Sequence, residues 1–135
     1  MDYWERLVMN REKVVFGFFI ILALTLNVGF VLGDIDNPAH HEVFELFLAL
    51  VVSLICTVLK FGDRSHLGAL LLATSLVADL QLIAAAVVWA YAEQISALGM
   101  TDGTMASIVS LAAGALVANV VSVILLVVES ASIRR

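Results

Sequence analysis

Residues 75–84, SLVADLQLIA, set Asp79 inside a run from Leu67 to Trp89 that holds no other charge. A carboxylate at the centre of a bilayer costs roughly 2.5–3.5 kcal/mol on insertion scales, several times what one leucine returns. A chain that keeps one there either uses the charge, by binding a proton or a cation, or neutralises it by clasping polar neighbours that fix which helices pack. Two amides fall at similar depth: Asn27, slightly toward the outer side of the first apolar run, and Asn119, near the middle of the last. Asn119 shares a helical face with Ala112, Ala115 and Ser122, and Asp79 shares one with Gly68, Ser75, Ala86 and Ala90. Small residues let helices approach closely enough for polar groups to bond across the gap. The predicted polar cluster is therefore Asp79, Asn27, Asn119, Ser75 and Ser122. Asparagine or serine would serve as a clasp without an ionisable group, which favours the reading in which the charge or proton is used.

Gln81 lies roughly 200° around the same helix from Asp79, on a face with Thr74, Val77, Ala85 and Val88. Lipid cannot satisfy an amide, so with Asp79 pointing inward Gln81 and Thr74 are expected to touch a second protein surface. The last apolar run offers one. Ala106, Ser110, Gly114, Ala118 and Ser122 recur every four residues as a ridge suited to helix packing, within the chain or between copies. A homo-oligomer or a larger membrane transport complex is the expected assembly.

Other chemistry is sparse. GDIDNPAHHEVFE (33–45) gathers carboxylates with His40, His41 and Glu45, which makes these three weak candidates for a divalent cation. No known ligand spacing is matched, and acids at a helix start are favoured anyway by capping and the macrodipole, so no metal is expected. Cys56 is the only cysteine and reads as a small apolar residue. No phosphate-cradling glycine loop, nucleophile with its base, or paired cysteines appear; neither an enzyme nor a cofactor is expected. The first apolar run lacks the carboxylate of small multidrug exporters, and the glycine and phenylalanine signatures of fluoride channels are missing.

The elements that position these groups follow from composition. With 62% hydrophobic and 14% charged residues, and a mean hydropathy of +1.06, the 135-residue chain is too apolar for a soluble domain. A spanning helix needs roughly 20 apolar residues, and four runs qualify, at 14–33, 43–60, 67–92 and 104–128. The expected fold is all-α, one domain of four transmembrane helices in an antiparallel bundle. MDYWERLVMNREK (1–13) puts Trp4, Leu7, Val8 and Arg11 on one face, which predicts a short interfacial helix before the first span. Trp89 and Tyr91 suit an outer aromatic belt, and Asp63 and Arg64 a turn that caps the helix starting near His66. The first run is too long for a typical signal sequence, so it is expected to be retained.

TVLKFGDR (57–64) followed by LLATSLVADLQLIA (71–84) resembles an uncharacterised family of small four-helix bacterial inner-membrane proteins. The family pattern has a histidine where this chain has Gln81, and a proline at or beside Ala84, so a mechanism that uses that imidazole does not carry over. The resemblance implies a bacterial inner-membrane location and an accessory role near Trk-type potassium uptake. The functional expectation is an ion transport or channel component, or an accessory subunit of an ion uptake system. The alternative is a structural or assembly protein whose polar residues only specify packing.

All seven Lys and Arg residues fall on one side of the expected topology: Arg6, Arg11, Lys13, Lys60, Arg64, Arg134 and Arg135. By the positive-inside rule both termini are cytoplasmic, with the acidic loops outside. The net charge of −5 therefore conceals a basic cytoplasmic rim, suited to anionic lipid heads and not to nucleic acid. In a Cys56→Ala background, Gln94→Cys should react with an impermeant thiol reagent added outside and Ser132→Cys should not. The reverse labelling pattern would overturn the topology.

Overall fold

A computed structural model describes residues 2–133; of Val8, Met9, Asn10, Ser132 and Ile133 only the backbone is described. Arg134 and Arg135, two of the seven cations, lie outside the described residues. The order is α1 (Tyr3–Val31), a single 3-10 turn (Pro38–His40), α2 (Val43–Lys60), α3 (His66–Gln94) and α4 (Asp102–Ile133). The described residues contain no strand.

α1 is one continuous helix. The expected separate interfacial helix is absent: nothing between Lys13 and Phe18 breaks the backbone ladder, and Asp2 accepts a hydrogen bond from the Glu5 N–H at 2.9 Å, which starts the helix eleven residues before the apolar run. α1 stops where Gly33 takes a φ of +103°. A Cβ there would sit 2.7 Å from that of His40, so glycine serves both the backbone and the space.

α2 has 18 residues, about 27 Å at 1.5 Å per residue, just enough for the hydrocarbon core. The turn after it is built by Gly62, at φ +92°, and by Asp63, which accepts from the Ser65 N–H at 3.0 Å and the Ser65 hydroxyl at 2.8 Å. These donors, with the nearby Lys60 ammonium, hold the Asp63 carboxyl below the usual carboxylate range. Ser65 in turn caps α3 by accepting from the Gly68 N–H at 2.9 Å. Thr101 accepts from the Thr104 N–H at 3.1 Å and caps α4 in the same way.

Each helix packs against two others in the cyclic order α1, α2, α3, α4, most extensively α3 on α4. Small residues supply much of the buried surface, while many large apolar side chains point outward. Ala23, Ala49, Ala78, Ala85, Ala112 and Ala115 are all 0% exposed, whereas Leu80 is 70%, Val117 63% and Phe18 61% exposed. Lipid removes any advantage from burying large chains, so contacts form where small residues allow close backbones. All four helices are long and apolar enough to cross a bilayer. The chain is a multi-pass membrane protein.

Part of the ridge on α4 faces α3. Ser110 is exposed, Gly114 is half-buried, and Ala118 and Ser122 are buried. A Cβ on Gly114 would run into the Gln81 amide. Gln81 therefore lies against α4 of its own chain, not on an outward face, because the glycine removes the side chain that would have pushed it out. Gly114→Ala should destabilise the bundle by about 1–2 kcal/mol through overpacking, and most of that cost should disappear in a Gln81→Ala background. Strictly additive costs in a double-mutant cycle would refute the contact.

Candidate functional site

Asp79 is 5% exposed and sits between α3 and α2. Its Oδ1 accepts a hydrogen bond from the Ser53 hydroxyl at 2.6 Å, and its Oδ2 is in hydrogen-bond contact with the Thr57 hydroxyl. Thr57 Oγ1 is also 3.2 Å from the Ser53 carbonyl oxygen. One hydroxyl proton thus stands between two acceptors.

This arrangement suits either state of the acid. With Asp79 ionised, Ser53 and Thr57 each donate to one carboxylate oxygen. With Asp79 neutral, its own O–H donates to Thr57 Oγ1 and the Thr57 hydroxyl turns to the Ser53 carbonyl. No heavy atom has to move, and every donor and acceptor within the group of three is satisfied in both cases.

The partners differ from those expected from depth alone. Neither Asn27 nor Asn119 bonds to Asp79. Asn27 is 0% exposed with neither side-chain polar atom hydrogen-bonded, and the Asn119 Nδ2 and Ser75 Oγ are likewise buried without partners. Counting inward from helix ends assumes that all helices start level. Here α2 is short, and Thr57, one turn before its end, meets a residue thirteen positions into α3. The signal that could have found Ser53 and Thr57 is their spacing: a hydroxyl pair at i and i+4 among the buried Ala49, Val52 and Cys56.

Thr74 also faces inward. Its hydroxyl lies 2.5 Å from that of Ser122 and donates or accepts there, while it is 2.9 Å from the Leu71 carbonyl. Ser122 therefore belongs to a second α3–α4 bond and not to the Asp79 group. Gln81 and Thr74 share a face as expected, and that face meets α4.

The residues 33–45 form a staple. The His41 ring, 5% exposed, places Nδ1 2.5 Å from the Phe30 carbonyl oxygen and Nε2 2.7 Å from that of Asp34. Both nitrogens are engaged, so neither is free for a metal. His40 Nδ1 accepts from the Asp34 N–H at 2.9 Å, and the Glu45 carboxylate fills the space over Gly29. Among the described residues no group of three or more His, Cys, Asp or Glu side chains converges as a metal site.

Residues 40–130, more than half of the chain, match the model of the "Family of unknown function (DUF6394)". The chain belongs to that family. No curated protein and no solved structure matches it. The matched region contains Asp79, Ser53 and Thr57 together with the Thr74–Ser122 pair, and it leaves Asn27 outside.

Thr57→Val keeps the shape of the side chain and removes its hydroxyl. It should cost roughly 0.6–2 kcal/mol of helix association in the membrane, and Ser53→Ala a similar amount. Both costs should shrink in an Asp79→Leu background. A reversible unfolding titration in mixed micelles would measure them, and undiminished costs there would show that the hydroxyls do not act through Asp79.

Proposed function

We propose that this chain is an ion transport component, or an accessory subunit of an ion uptake system, in which Asp79 binds and releases a proton. One observation carries the reading: a buried carboxyl group whose two hydroxyl partners satisfy it both with and without its proton, through a turn of the Thr57 hydroxyl alone. A side chain serving only to hold α2 against α3 needs no second state. The buried amide of Asn27, kept without a partner at about 1–3 kcal/mol, adds to a spanning region that carries more polarity than packing requires.

The proposed setting is a bacterial inner membrane with four antiparallel spans and both termini in the cytoplasm. The short connections between successive helices that pack together, and the gathering of Arg11, Lys13, Lys60 and Arg64 around one cleft, support this topology. The interior between the helices is filled, with Ala78, Leu82, Met105 and Ile108 all 0% exposed. An ion path therefore lies between this chain and a partner, which makes a role within a larger complex the better fit. Gln81, the residue that points to a second copy in the sequence, packs inward and lends a homo-oligomer no support. The resemblance to proteins near Trk-type systems makes potassium the first ion to try, and no enzymatic activity is proposed.

A second reading has its own support: both carboxyl oxygens of Asp79 already have partners inside the chain, as in a clasp. Asp79→Asn separates the two, since it retains shape and hydrogen bonding and deletes ionisation. In a deletion strain grown on limiting potassium, and in proton-flux measurements on vesicles, that variant should insert at normal levels yet fail to restore activity. Full rescue by the asparagine variant, together with loosening of the bundle by Asp79→Leu, would establish the clasp instead.

A further inference from the structure

At the basic end of the helices four cations border one cleft, two of them paired with acids and two not. Lys13 pairs with Glu129 at 3.6 Å and Lys60 with Asp63 at 3.8 Å, and the Lys60 ammonium rests 4.4 Å from the centre of the Phe16 ring. Arg11 and Arg64 have no ion-pair partner among the described residues. Both border this cleft of about 990 Å³, to which Glu12 also contributes and whose walls include the apolar Phe16, Leu71 and Leu126.

A second hollow adjoins the cleft, with the Lys13–Glu129 ion pair at their common wall. Lys13, Leu126 and Glu129 also border this hollow of about 640 Å³ between α1 and α4, walled further by Gly17, Ile21 and Val127. The hollow is open beside Gly17, where an added Cβ would have no neighbouring atom within 4 Å. Ile21 and Val127 are 51% and 62% exposed on the outer, lipid-facing surface, so the hollow opens toward the acyl chains of a bilayer. Charge at the mouth and an apolar groove to the side call for an amphiphile with an anionic head.

We infer that the two adjoining hollows bind an anionic phospholipid, with its phosphate between Arg11 and Arg64 and one acyl chain in the α1–α4 groove beside Gly17. Guanidinium groups match phosphate in a bidentate manner and lose less on leaving water than ammonium groups. Asp63 does not compete for them, being occupied by Ser65 and Lys60. Free phosphate has the same head chemistry, but it leaves the groove empty. The site is independent of the role assigned to Asp79.

The test uses the full chain in neutral detergent, with thermal unfolding followed on addition of phosphatidylglycerol, phosphatidylcholine or sodium phosphate at matched ionic strength. Phosphatidylglycerol should raise the unfolding temperature in a saturable manner, phosphatidylcholine should do so only weakly, and phosphate should not. Arg11→Gln and Arg64→Gln should each raise the half-saturating phosphatidylglycerol concentration roughly tenfold. Arg6→Gln removes the same charge from an exposed position of α1 outside the cleft and should leave it unchanged. Gly17→Leu, which fills the groove, should weaken the lipid response without lowering stability in detergent alone. Equal responses to the two lipids, an equal loss in Arg6→Gln, or a full response to phosphate would each overturn the site. So would a groove covered by a second copy, seen as a dimer that phosphatidylglycerol dissociates. Native mass spectrometry of the wild type tests the same site without any variant: retained phosphatidylglycerol in preference to phosphatidylcholine supports it, and no preference overturns it.

Discussion

A carboxyl group in hydrocarbon has no water to turn to, so the protein itself must supply whatever its two oxygens accept or donate. In this chain the whole supply comes from α2. Ser53 and Thr57 stand one helical turn apart and approach Asp79 from the neighbouring helix, with Ser53 only 1% exposed. That requirement fixes the register between α2 and α3. It explains why the shortest helix of the four ends so early relative to its partner, and why Lys60 has a side chain only 14% exposed: the end of α2 is drawn toward the depth at which Asp79 sits, and its terminal cation reaches back over Phe16 and toward Asp63. A long aliphatic stem allows this, with the ammonium reaching polar company while the stem lies along apolar surface.

The other interfaces follow a different rule. Between α3 and α4 there is no charge to accommodate, and contact depends on how closely two backbones come. Glycine and alanine provide the approach, and the Thr74–Ser122 hydroxyl pair supplies one polar contact across it. Gly114 shows the two rules meeting. Absence of a side chain on α4 creates the recess into which Gln81 of α3 fits, so an amide that would be costly against lipid is held within the chain. α1 leaves one amide unmatched. Its Asn27 is fully enclosed and makes no side-chain hydrogen bond, and α1 contacts α2 and α4 through large groups, Phe16, Ile20 and Phe30, as well as through Ala23.

At the ends of the helices, where water returns, capping and charge pairing take over. Asp2, Ser65 and Thr101 each satisfy an N–H of a first turn, and His41 ties the loop of residues 32–41 back to the Phe30 carbonyl near the end of α1 and to the Asp34 carbonyl within the loop. These groups satisfy backbone atoms that the helix ladders leave open. They include His40 and His41, which the sequence offers only as weak candidates for a cation.

By itself the sequence determined that the chain is all-helical, that four segments are long and apolar enough to cross a membrane, where the breaks between them fall, and that Asp79 is the residue whose presence needs a physical reason. Hydropathy and run length decide these things, because every backbone group in a bilayer must be paired within its own helix, and one helix can therefore be judged without knowledge of the others. The continuity of α1 through residues 3–13 was less legible, since an amphipathic start is compatible with a break or with none. Which polar groups meet was decided only by the tertiary structure. Asp79 faces Ser53 and Thr57, Thr74 faces Ser122, and Gln81 faces Gly114, and each pairing depends on the axial offset and rotation of one helix against another. Periodicity gives the face on which a residue lies but not the height at which the neighbouring helix presents its own. A short α2 shifted along α3 is enough to exchange the expected asparagines for two hydroxyls.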